Sequence, residues 1–309
     1  MRIILSQSHF QLANPSPLPD GTFVFVCMED FSVGPLSGWN NPAEFHRNRS
    51  DFWQATPLLD LPDGRKADYF VWHQTLPRCD LVEALKSGMS FEDIPEPLQL
   101  EQVAAKATSI EIWSDGSVQG HAFLWYLSIA LEGMGVDRNT VSLCVFHEDI
   151  VTKRPQKFWN DMLLDRTERS IPAVLPTPSD WQLLVDCWNA ITILPQPIDP
   201  SLMRRLDENA LHAFEVLKNR HPNRATGLTN LQARLLDAVK ADWSKMARIV
   251  GDVMAAGWDE NDRVGDGVLQ AELEKMARMG PPLVEIDGTG AMRFCKVRLT
   301  PDGATKRQV

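Results

Sequence analysis

The sequence has no long apolar run and no secretion signal at its start. No segment of the 309 residues approaches the ~20 uninterrupted apolar residues that a membrane-spanning helix needs. The opening segment MRIILSQSHF holds one arginine and a short apolar run. That run is shorter than the core of ~7–15 apolar residues in a secretion signal. We therefore expect a cytoplasmic protein that does not contact a membrane.

Cysteines are few, scattered and odd in number. The chain has 5 of them, none in a Cys-x-x-Cys pair, and Cys27 and Cys144 lie inside strand-like apolar runs. This spacing argues against a disulfide framework and against a zinc site. We expect buried thiols in a reducing compartment and no metal site.

An excess of positive charge is also missing. The net charge is -10, and residues 226–309 carry 12 basic and 12 acidic side chains. The other residues, 1–225, hold the remaining 19 basic and 29 acidic side chains and therefore the whole net charge. Neither part offers the basic footprint that a polyanion needs, so the charge distribution argues against strong DNA binding.

The sequence motifs of several large enzyme classes are absent as well. No Gly-x-Gly-x-x-Gly follows a strand-like run, and no P-loop motif, Gly-x-Ser-x-Gly, His-Glu-x-x-His or EF-hand pattern occurs. Classical dinucleotide binding and P-loop chemistry are therefore not indicated. The sequence identifies no cofactor.

Strand-like runs and helical patterns alternate over residues 1–150. The length suggests two domains, and 44% hydrophobic with 23% charged residues is typical of globular proteins. A helical pattern over 120–135 separates the last two strands as in a βαβ unit. Apolar residues at both parities predict strands covered on both faces, as in an open, mostly parallel, Rossmann-like α/β sheet. The predicted strands are 2–6, 22–28, 109–114 and 141–146.

The segment between the second and third strands and the proline-rich middle are predicted to be mainly helical. Residues 151–225 are expected to form a helical linker region. The predicted elements, in chain order, are a helix over 42–54, a strand over 67–74, helices over 80–88 and 93–107, and linker helices over 178–191 and 200–221.

The last part of the chain predicts three helices followed by a two-stranded hairpin. The helices are expected over 228–241, 243–257 and 265–280, and the strands over 282–287 and 291–303. This order is that of a winged helix, so we predict a winged-helix-like domain over residues 226–309. Its third helix carries acidic and basic residues in balance, which fits contact with protein, or self-association, at least as well as contact with DNA.

Polar residues follow the predicted strands, and one such segment is MEDFSVGPLSGW at residues 28–39. In open α/β sheets ligands bind beyond the carboxyl ends of the strands, so a buried strand that opens into a tight polar turn suggests a ligand site. Asp30 and His9 are the candidates for acid–base catalysis. The candidate binding residues on this edge are Ser6, Ser8, Asp30, Ser32, Gly34, Asp115, Ser117 and Gln119.

A purely structural explanation stands beside that hypothesis. Asp and Ser end many buried strands by capping turns, and Asp30 and Ser32 fit that role equally well. His9 and His147 are more often surface residues than catalysts at such positions. Ser117 is expected to cap the helix that follows it, and a helix N-terminus also favours an anion such as phosphate.

One basic and aromatic cluster occurs in the acidic part of the chain. Arg49 and Trp53 are four residues apart and share one face of the predicted helix, and Arg47 is close by. Such a cluster can hold a carboxylate or phosphate against an indole ring. The alternative is an arginine stem packed over a tryptophan at the edge of the core.

Several short motifs together resemble a known family. They are DFSVGP (30–35), RNRSDFW (47–53), IEIW (110–113), GLTNLQARLL (227–236), VGDGVLQAELEKMA (264–277) and VRLTPDG (297–303). Over most of its length the chain is similar to the bacterial domain-of-unknown-function family 1835. The resemblance implies an α/β N-terminal domain joined to a C-terminal winged-helix-like region, and no established activity.

The chain departs from the family pattern at two places. Ser6-Gln7-Ser8 stands where the family usually has Gly-Asp-Ser after the first strand. The family also usually has an acid at the start of the helix after the third strand, where this chain has SVQGHAF (117–123). Both departures remove a carboxylate from the suspected pocket, so a catalytic acid of the family at either place would be missing here.

These observations lead to three hypotheses. The first is a regulatory protein that binds a nucleotide-like or phosphorylated small molecule and signals through its winged-helix region to a protein partner. In it, Arg47 or Arg49 meets the negative charge of the ligand. The second is an enzyme of nucleotide or phosphoester chemistry with Asp30 or His9 as acid or base. The third is a DNA-binding transcriptional regulator.

Overall fold

The structure is a computed structural model that describes residues 1–6, 22–26, 30–55, 73–75, 100–145, 173–193 and 197–307. Internal contacts divide the chain into two compact units. The first unit comprises residues 1–31 and 69–189, and the second comprises residues 32–68 and 190–309. These boundaries differ from those of the predicted domains, because residues 32–68 belong to the second unit.

Eight strands and ten helices lie in the described ranges. In the first half of the chain they are β1 (Arg2–Ser6), β2 (Thr22–Val26), α1 (Pro42–Ala55), β3 (His73–Thr75), α2 (Leu100–Val103), β4 (Ser109–Ser114), α3 (Val118–Gly133) and β5 (Val141–Val145). In the second half they are α4 (Pro178–Thr192), α5 (Pro200–Met203), α6 (Glu208–Lys218), α7 (Asn230–Ala238), β6 (Ser244–Lys245), α8 (Met246–Asp259), α9 (Asp266–Ala277), β7 (Val284–Asp287), β8 (Lys296–Leu299) and α10 (Pro301–Arg307).

The first unit contains a five-stranded sheet in the order β3-β2-β1-β4-β5. β1, β2, β4 and β5 are parallel, and β3 is antiparallel at the edge. The predicted open, mostly parallel α/β sheet is therefore confirmed. The strand order reverses between β1 and β4, since β2 lies on one side of β1 and β4 on the other.

Burial explains why the strands of this sheet are apolar at both parities. Ile3, Ile4 and Leu5 in β1 are all buried, as are Ile110 and Ile112 in β4. Side chains that point to both faces of a sheet can be buried only if both faces are covered. Helix α3 is apolar almost all round and buried over most of its length, which is typical of a helix inside a core.

The second unit contains a three-stranded antiparallel sheet in the order β6-β8-β7. The helices predicted over 228–241, 243–257 and 265–280 correspond to α7, α8 and α9. The predicted hairpin corresponds to β7 and β8, in the register Glu285↔Arg298. The short strand β6 was not predicted; it pairs Ser244 with Val297 of β8.

Two predicted elements in this part of the chain are corrected by the structure. The linker helix predicted over 200–221 is two helices, α5 and α6, because the Asp207 carboxylate accepts the Ala210 N–H at 2.8 Å and starts a new helix. The second hairpin strand predicted over 291–303 ends at Leu299. Pro301 then opens helix α10, since proline fits the first turn of a helix and the Thr300 hydroxyl accepts the Gly303 N–H.

Other predicted elements correspond wholly or partly to described helices and strands. The helices predicted over 42–54 and 178–191 correspond to α1 and α4. Of the strand predicted over 67–74, residues 73 and 74 are described and lie in β3. Of the helix predicted over 93–107, residues 100–107 are described, and they contain α2 and a 3-10 turn. The helix predicted over 80–88 lies outside the described residues. No helix in the described ranges combines the length and the hydropathy of a membrane span.

Helix α10 is held closely against the rest of the second unit. The Arg307 guanidinium donates to the carbonyls of Leu236 and Val239 at the end of α7. At the other end of α10, a Cβ on Gly303 would lie 2.0 Å from the Leu283 carbonyl oxygen. Only glycine allows this approach of the two backbones.

Replacing Gly303 with alanine is expected to lower the free energy of unfolding by about 1–3 kcal/mol, because the added methyl group must displace α10 from Leu283. Gly251 is the matched control: it is also a helical glycine of this unit, but nothing lies within 4 Å of its Cβ position. Gly251→Ala should raise the free energy of unfolding by up to about 1 kcal/mol. Chemical denaturation of the full chain measures both, and changes of equal sign would contradict the packing described.

Candidate functional site

Buried hydroxyl groups lie at the carboxyl ends of β1 and β4, where the strand order reverses. Ser6 ends β1 opposite Trp113 of β4, and Ser114 ends β4. Both serines are buried. Ligands of open α/β sheets bind at such a switch point, so the strand order makes this edge the candidate site of the first unit.

The loop after β4 is folded around the Asp115 carboxylate. One of its oxygens, Oδ1, accepts the Ser117 N–H at 3.0 Å and the Ser117 hydroxyl at 2.6 Å. Gly116, between them, has a φ of 69°, which glycine adopts without strain. Asp115 thus closes an Asx turn directly above the switch point.

Ser117 is the N-cap of α3, as predicted. Its hydroxyl oxygen accepts the Gly120 N–H at 3.0 Å, so this donor of the helix N-terminus is already satisfied. Gly120 itself is required by packing: a Cβ there would lie 2.6 Å from both the Asp115 carboxylate and the Ser114 hydroxyl. The loop and the first turn of α3 therefore form one tightly fitted unit.

His121 is a buried polar residue at this place that sequence reasoning missed. Its Nδ1 donates to the Ser117 carbonyl at 2.9 Å, and its ring meets Trp125 edge to face at a centroid distance of 5.9 Å. The signal available in the sequence was its spacing of four residues from the capping Ser117, which places both on one face of α3.

The charge of this loop decides what chemistry it favours. The Asp115 carboxylate lies at the N-terminus of α3, where the helix dipole stabilises a negative charge. A phosphate at the same position would be repelled by the negative charge of that carboxylate. Donor groups such as a ribose hydroxyl or an amine suit Asp115 and the neighbouring serines better.

The segment of residues 32–35, here called the corner, belongs to the second unit and is held by a buried arginine. Arg49 of α1 is fully buried, and its Nη1 donates to the Val33 carbonyl at 2.6 Å and to the Pro35 carbonyl at 3.2 Å. The guanidinium lies over the Phe52 ring at 5.4 Å. These contacts join Arg49 to the corner and to a ring of its own helix.

Glycine is needed within the corner. Gly34 has a φ of 76°, and a Cβ there would lie 2.8 Å from the Phe52 ring. The Ser32 carbonyl accepts the Nε–H of a second arginine, Arg220, at 3.4 Å. The tight polar turn after β2 is thus explained by packing: its carbonyls are turned towards two arginines.

Arg220 connects the corner to two other segments of the second unit. Its guanidinium also donates to the Asn230 side chain at 2.9 Å and to the buried Asp262 carboxylate. Asp262 in turn accepts from Arg234 at 3.0 Å. The corner is therefore part of a network of buried charges, each of which has a partner.

The predicted site residues fall into two groups. Ser6, Asp115, Ser117 and the buried Gln119 are in the first unit, together with the half-buried Asp30. The second unit contains Ser32, Gly34, Arg47, Arg49 and Trp53. Ser8, His9 and His147 lie outside the described residues. The structure brings together the residues of the β4–α3 loop in one unit and those of the corner in the other.

Two predicted details of the arginine cluster are refined. The ring beneath the Arg49 guanidinium is Phe52, and Trp53 meets Phe52 edge to face at 4.9 Å. Arg47 is exposed. Within the described ranges, no group of three His, Cys, Asp or Glu side chains is arranged to hold a metal ion.

Comparison with models of known protein families gave no match, and a search of curated proteins gave no significant relative. The resemblance to the domain-of-unknown-function family 1835 stays a prediction.

Arg49→Met is expected to lower the free energy of unfolding by about 2–4 kcal/mol, because it leaves the buried Val33 carbonyl and the partly buried Pro35 carbonyl without this donor. Arg47→Met, two residues earlier on the same helix, is the control and should change it by less than about 0.5 kcal/mol. Urea denaturation of the full chain compares the two. Similar stability of both variants would show that the buried guanidinium does not hold the corner.

Proposed function

We propose that this protein binds a nucleotide-like or phosphorylated small molecule at the carboxyl ends of β1 and β4, and that it acts as a regulatory protein. The observation that carries this proposal is the set of buried hydroxyls beside the Asp115 carboxylate at the point where the strand order reverses. Asp115 accepts from Ser117, and Ser114 accepts the Gly116 N–H at 3.4 Å, before any ligand arrives. A preorganised polar edge of this kind supports binding with little ordering cost.

The ligand that suits this edge carries hydroxyl groups as well as any phosphate. Asp115 accepts hydrogen bonds, so we propose that it meets the hydroxyls of a ribose or another sugar. The Gly120 N–H is taken by Ser117, which leaves fewer donors for an anion at the start of α3 than the sequence suggested. A phosphate of the same ligand is then expected to lie away from Asp115.

The C-terminal helices and hairpin support a role as an interaction module of the winged-helix type. Their order is that of a winged helix, and DNA contact through α9 is less well supported than protein contact. Eight of the 12 residues of α9 are buried. Lys275 of α9 pairs with Glu272 at 2.5 Å, and Arg278, directly after the helix, pairs with Glu274 at 3.5 Å.

The enzyme hypothesis has less support than the binding hypothesis. It needs an acid or base against the ligand. His9 lies outside the described residues, and Asp30 is half-buried in the first unit. At Asp115, one carboxylate oxygen, Oδ1, is already engaged by the Ser117 N–H and hydroxyl. A hydrolysis assay that accompanies the binding screen separates the two hypotheses.

The binding proposal is tested by thermal unfolding of the full chain in the presence of nucleosides, nucleotides, sugar phosphates and inorganic phosphate. A ligand of the proposed class at about 100 times its dissociation constant should raise the melting temperature by roughly 5 °C. Asp115→Asn should weaken its binding about tenfold, since a charged acceptor is lost while the turn is kept.

Asp137→Asn is the matched control for this test. Asp137 also accepts the N–H of the residue two positions later, from Asn139 at 3.0 Å, but it caps an exposed 3-10 turn. Its replacement should leave ligand binding unchanged. The proposal is overturned if no compound shifts the melting temperature, or if inorganic phosphate alone binds and Asp115→Asn strengthens it.

A further inference from the structure

One face of the three-stranded sheet in the second unit, here called the outer face, carries basic and aromatic side chains. Over residues 295–298 the exposed Lys296 and the half-buried Arg298 alternate with the buried Cys295 and Val297. Successive side chains of a strand point to opposite faces, so Lys296 and Arg298 lie together on the outer face. Phe294 ends the 3-10 turn that leads into β8, and it is 68% exposed.

Two lysines lie directly opposite each other on the outer face. Lys245 of β6 is the register partner of Lys296 of β8. Side chains at paired positions point to the same face with their Cβ atoms ~4.5–5.5 Å apart, and like charges there destabilise the pairing. Asp287 of β7 is opposite Lys296 on its other side, so it is next to only one of the two lysines. An anion bound beside Lys245 would relieve the repulsion.

Positive charge therefore exceeds negative charge on the outer face. Arg298 pairs with Glu285 at 2.5 Å, so these two charges offset each other. The other exposed charges are one acid, Asp287, and three cations that form no ion pair in the described part of the chain: Lys245, Arg293 and Lys296. The excess is local, because residues 226–309 carry equal numbers of basic and acidic side chains in total.

Two aromatic rings of the outer face are each packed against an arginine. The Arg293 guanidinium lies over the Phe294 ring at 4.8 Å, and the Arg298 guanidinium lies over the Trp243 ring at 4.7 Å. Trp243 is 41% exposed. Each arginine covers one side of its ring and leaves other parts of the ring in contact with solvent. Rings that are already fixed in position lose little conformational entropy when a planar group stacks on them.

The combination of cations and exposed rings favours single-stranded nucleic acid over other anionic partners. Its phosphates suit the lysines, and its unstacked bases suit the aromatic rings. An acidic peptide would meet the lysines, but its carboxylates offer no planar group of similar size for the rings. In a duplex the faces of the bases are covered by neighbouring base pairs, so only the phosphates would be in contact.

We propose that the outer face binds single-stranded nucleic acid. Phosphates pair with Lys245 and Lys296, one base stacks on Phe294, and another stacks on Trp243. The strand lies towards β6, away from Asp287. This mode differs from the insertion of α9 into a groove of duplex DNA. The inference goes beyond the proposed ligand site and does not depend on it, because all the residues that carry it are in the second unit.

The test measures fluorescence anisotropy of a labelled oligothymidylate of about 12 nucleotides, titrated with the full chain at low salt. Saturable binding is expected. Phe294→Ala should weaken it at least about fivefold because one base loses its stacking surface, and Phe294→Trp should keep it because an aromatic ring is retained. Both variants should melt at the same temperature as the unaltered chain, since Phe294 is exposed.

The salt dependence of binding tests the lysines. Lys296→Ala should weaken binding and should reduce the slope of log affinity against log salt by about 0.7, the contribution of one phosphate contact in a single strand. Arg224→Ala removes an exposed cation from the loop between α6 and α7, so it is the matched control and should change neither quantity. Asp287→Asn should strengthen binding, because it removes the acid beside Lys296.

The proposal is overturned if the oligonucleotide shows no saturable binding at about 100 µM protein, or if Phe294→Ala binds it as tightly as the unaltered chain does. Equally tight binding of the same oligonucleotide in a duplex with oligoadenylate would also contradict it, since the bases would then play no part. So would displacement of the oligonucleotide by polyglutamate at an equal concentration of charges, because that result would assign the outer face to an acidic peptide.

Discussion

The buried Arg49 and the partly buried Arg220 bind the carbonyls of the corner, and Arg220 joins it to other segments of the second unit. The corner at residues 32–35 withdraws several of its backbone oxygens from water, and such oxygens need donors. Arg49 supplies Val33 and Pro35, and Arg220 supplies Ser32. Guanidinium is suited to this because it offers five N–H groups in a fixed plane and stays charged. Arg220 also reaches Asp262, which lies 230 residues from the corner in sequence, so one side chain joins distant parts of the unit.

In the first unit, short polar side chains rather than arginines form hydrogen bonds with the backbone of a turn. After β4, Ser117 donates to Asp115 and caps the helix N-terminus, and glycine at 120 leaves room for Asp115 and Ser114. The outcome for function differs between the two units. The carbonyls of the corner accept from arginines of the protein itself, whereas the loop after β4 lies at the sheet edge where ligands of this architecture bind. This difference is why the proposed site is centred on the β4–α3 loop.

Much of the fold could be predicted, because burial on both faces and helical periodicity are written in local sequence. β1, β2, β4 and β5 and helices α1, α3, α4, α7, α8 and α9 all lie where apolar patterning indicated them. Less of the candidate site could be predicted. Arg49 and Trp53 are correctly spaced to share a helix face, but the ring that packs under Arg49 is Phe52, since side-chain direction depends on packing. His121 gave only a spacing signal, and Thr300 and Pro301 looked like part of a strand although they start a helix.

By itself the sequence determined the class of architecture, the cap at Ser117 and the acidic character of the first 225 residues, because each depends on neighbouring residues or on composition. Only the tertiary structure decided which polar groups form hydrogen bonds inside the protein and which lie at the edge of a sheet. The strand order and the arginine network arise from contacts between residues far apart in the chain. Such contacts leave no local pattern, since a side chain's partner is chosen by the fold that surrounds it.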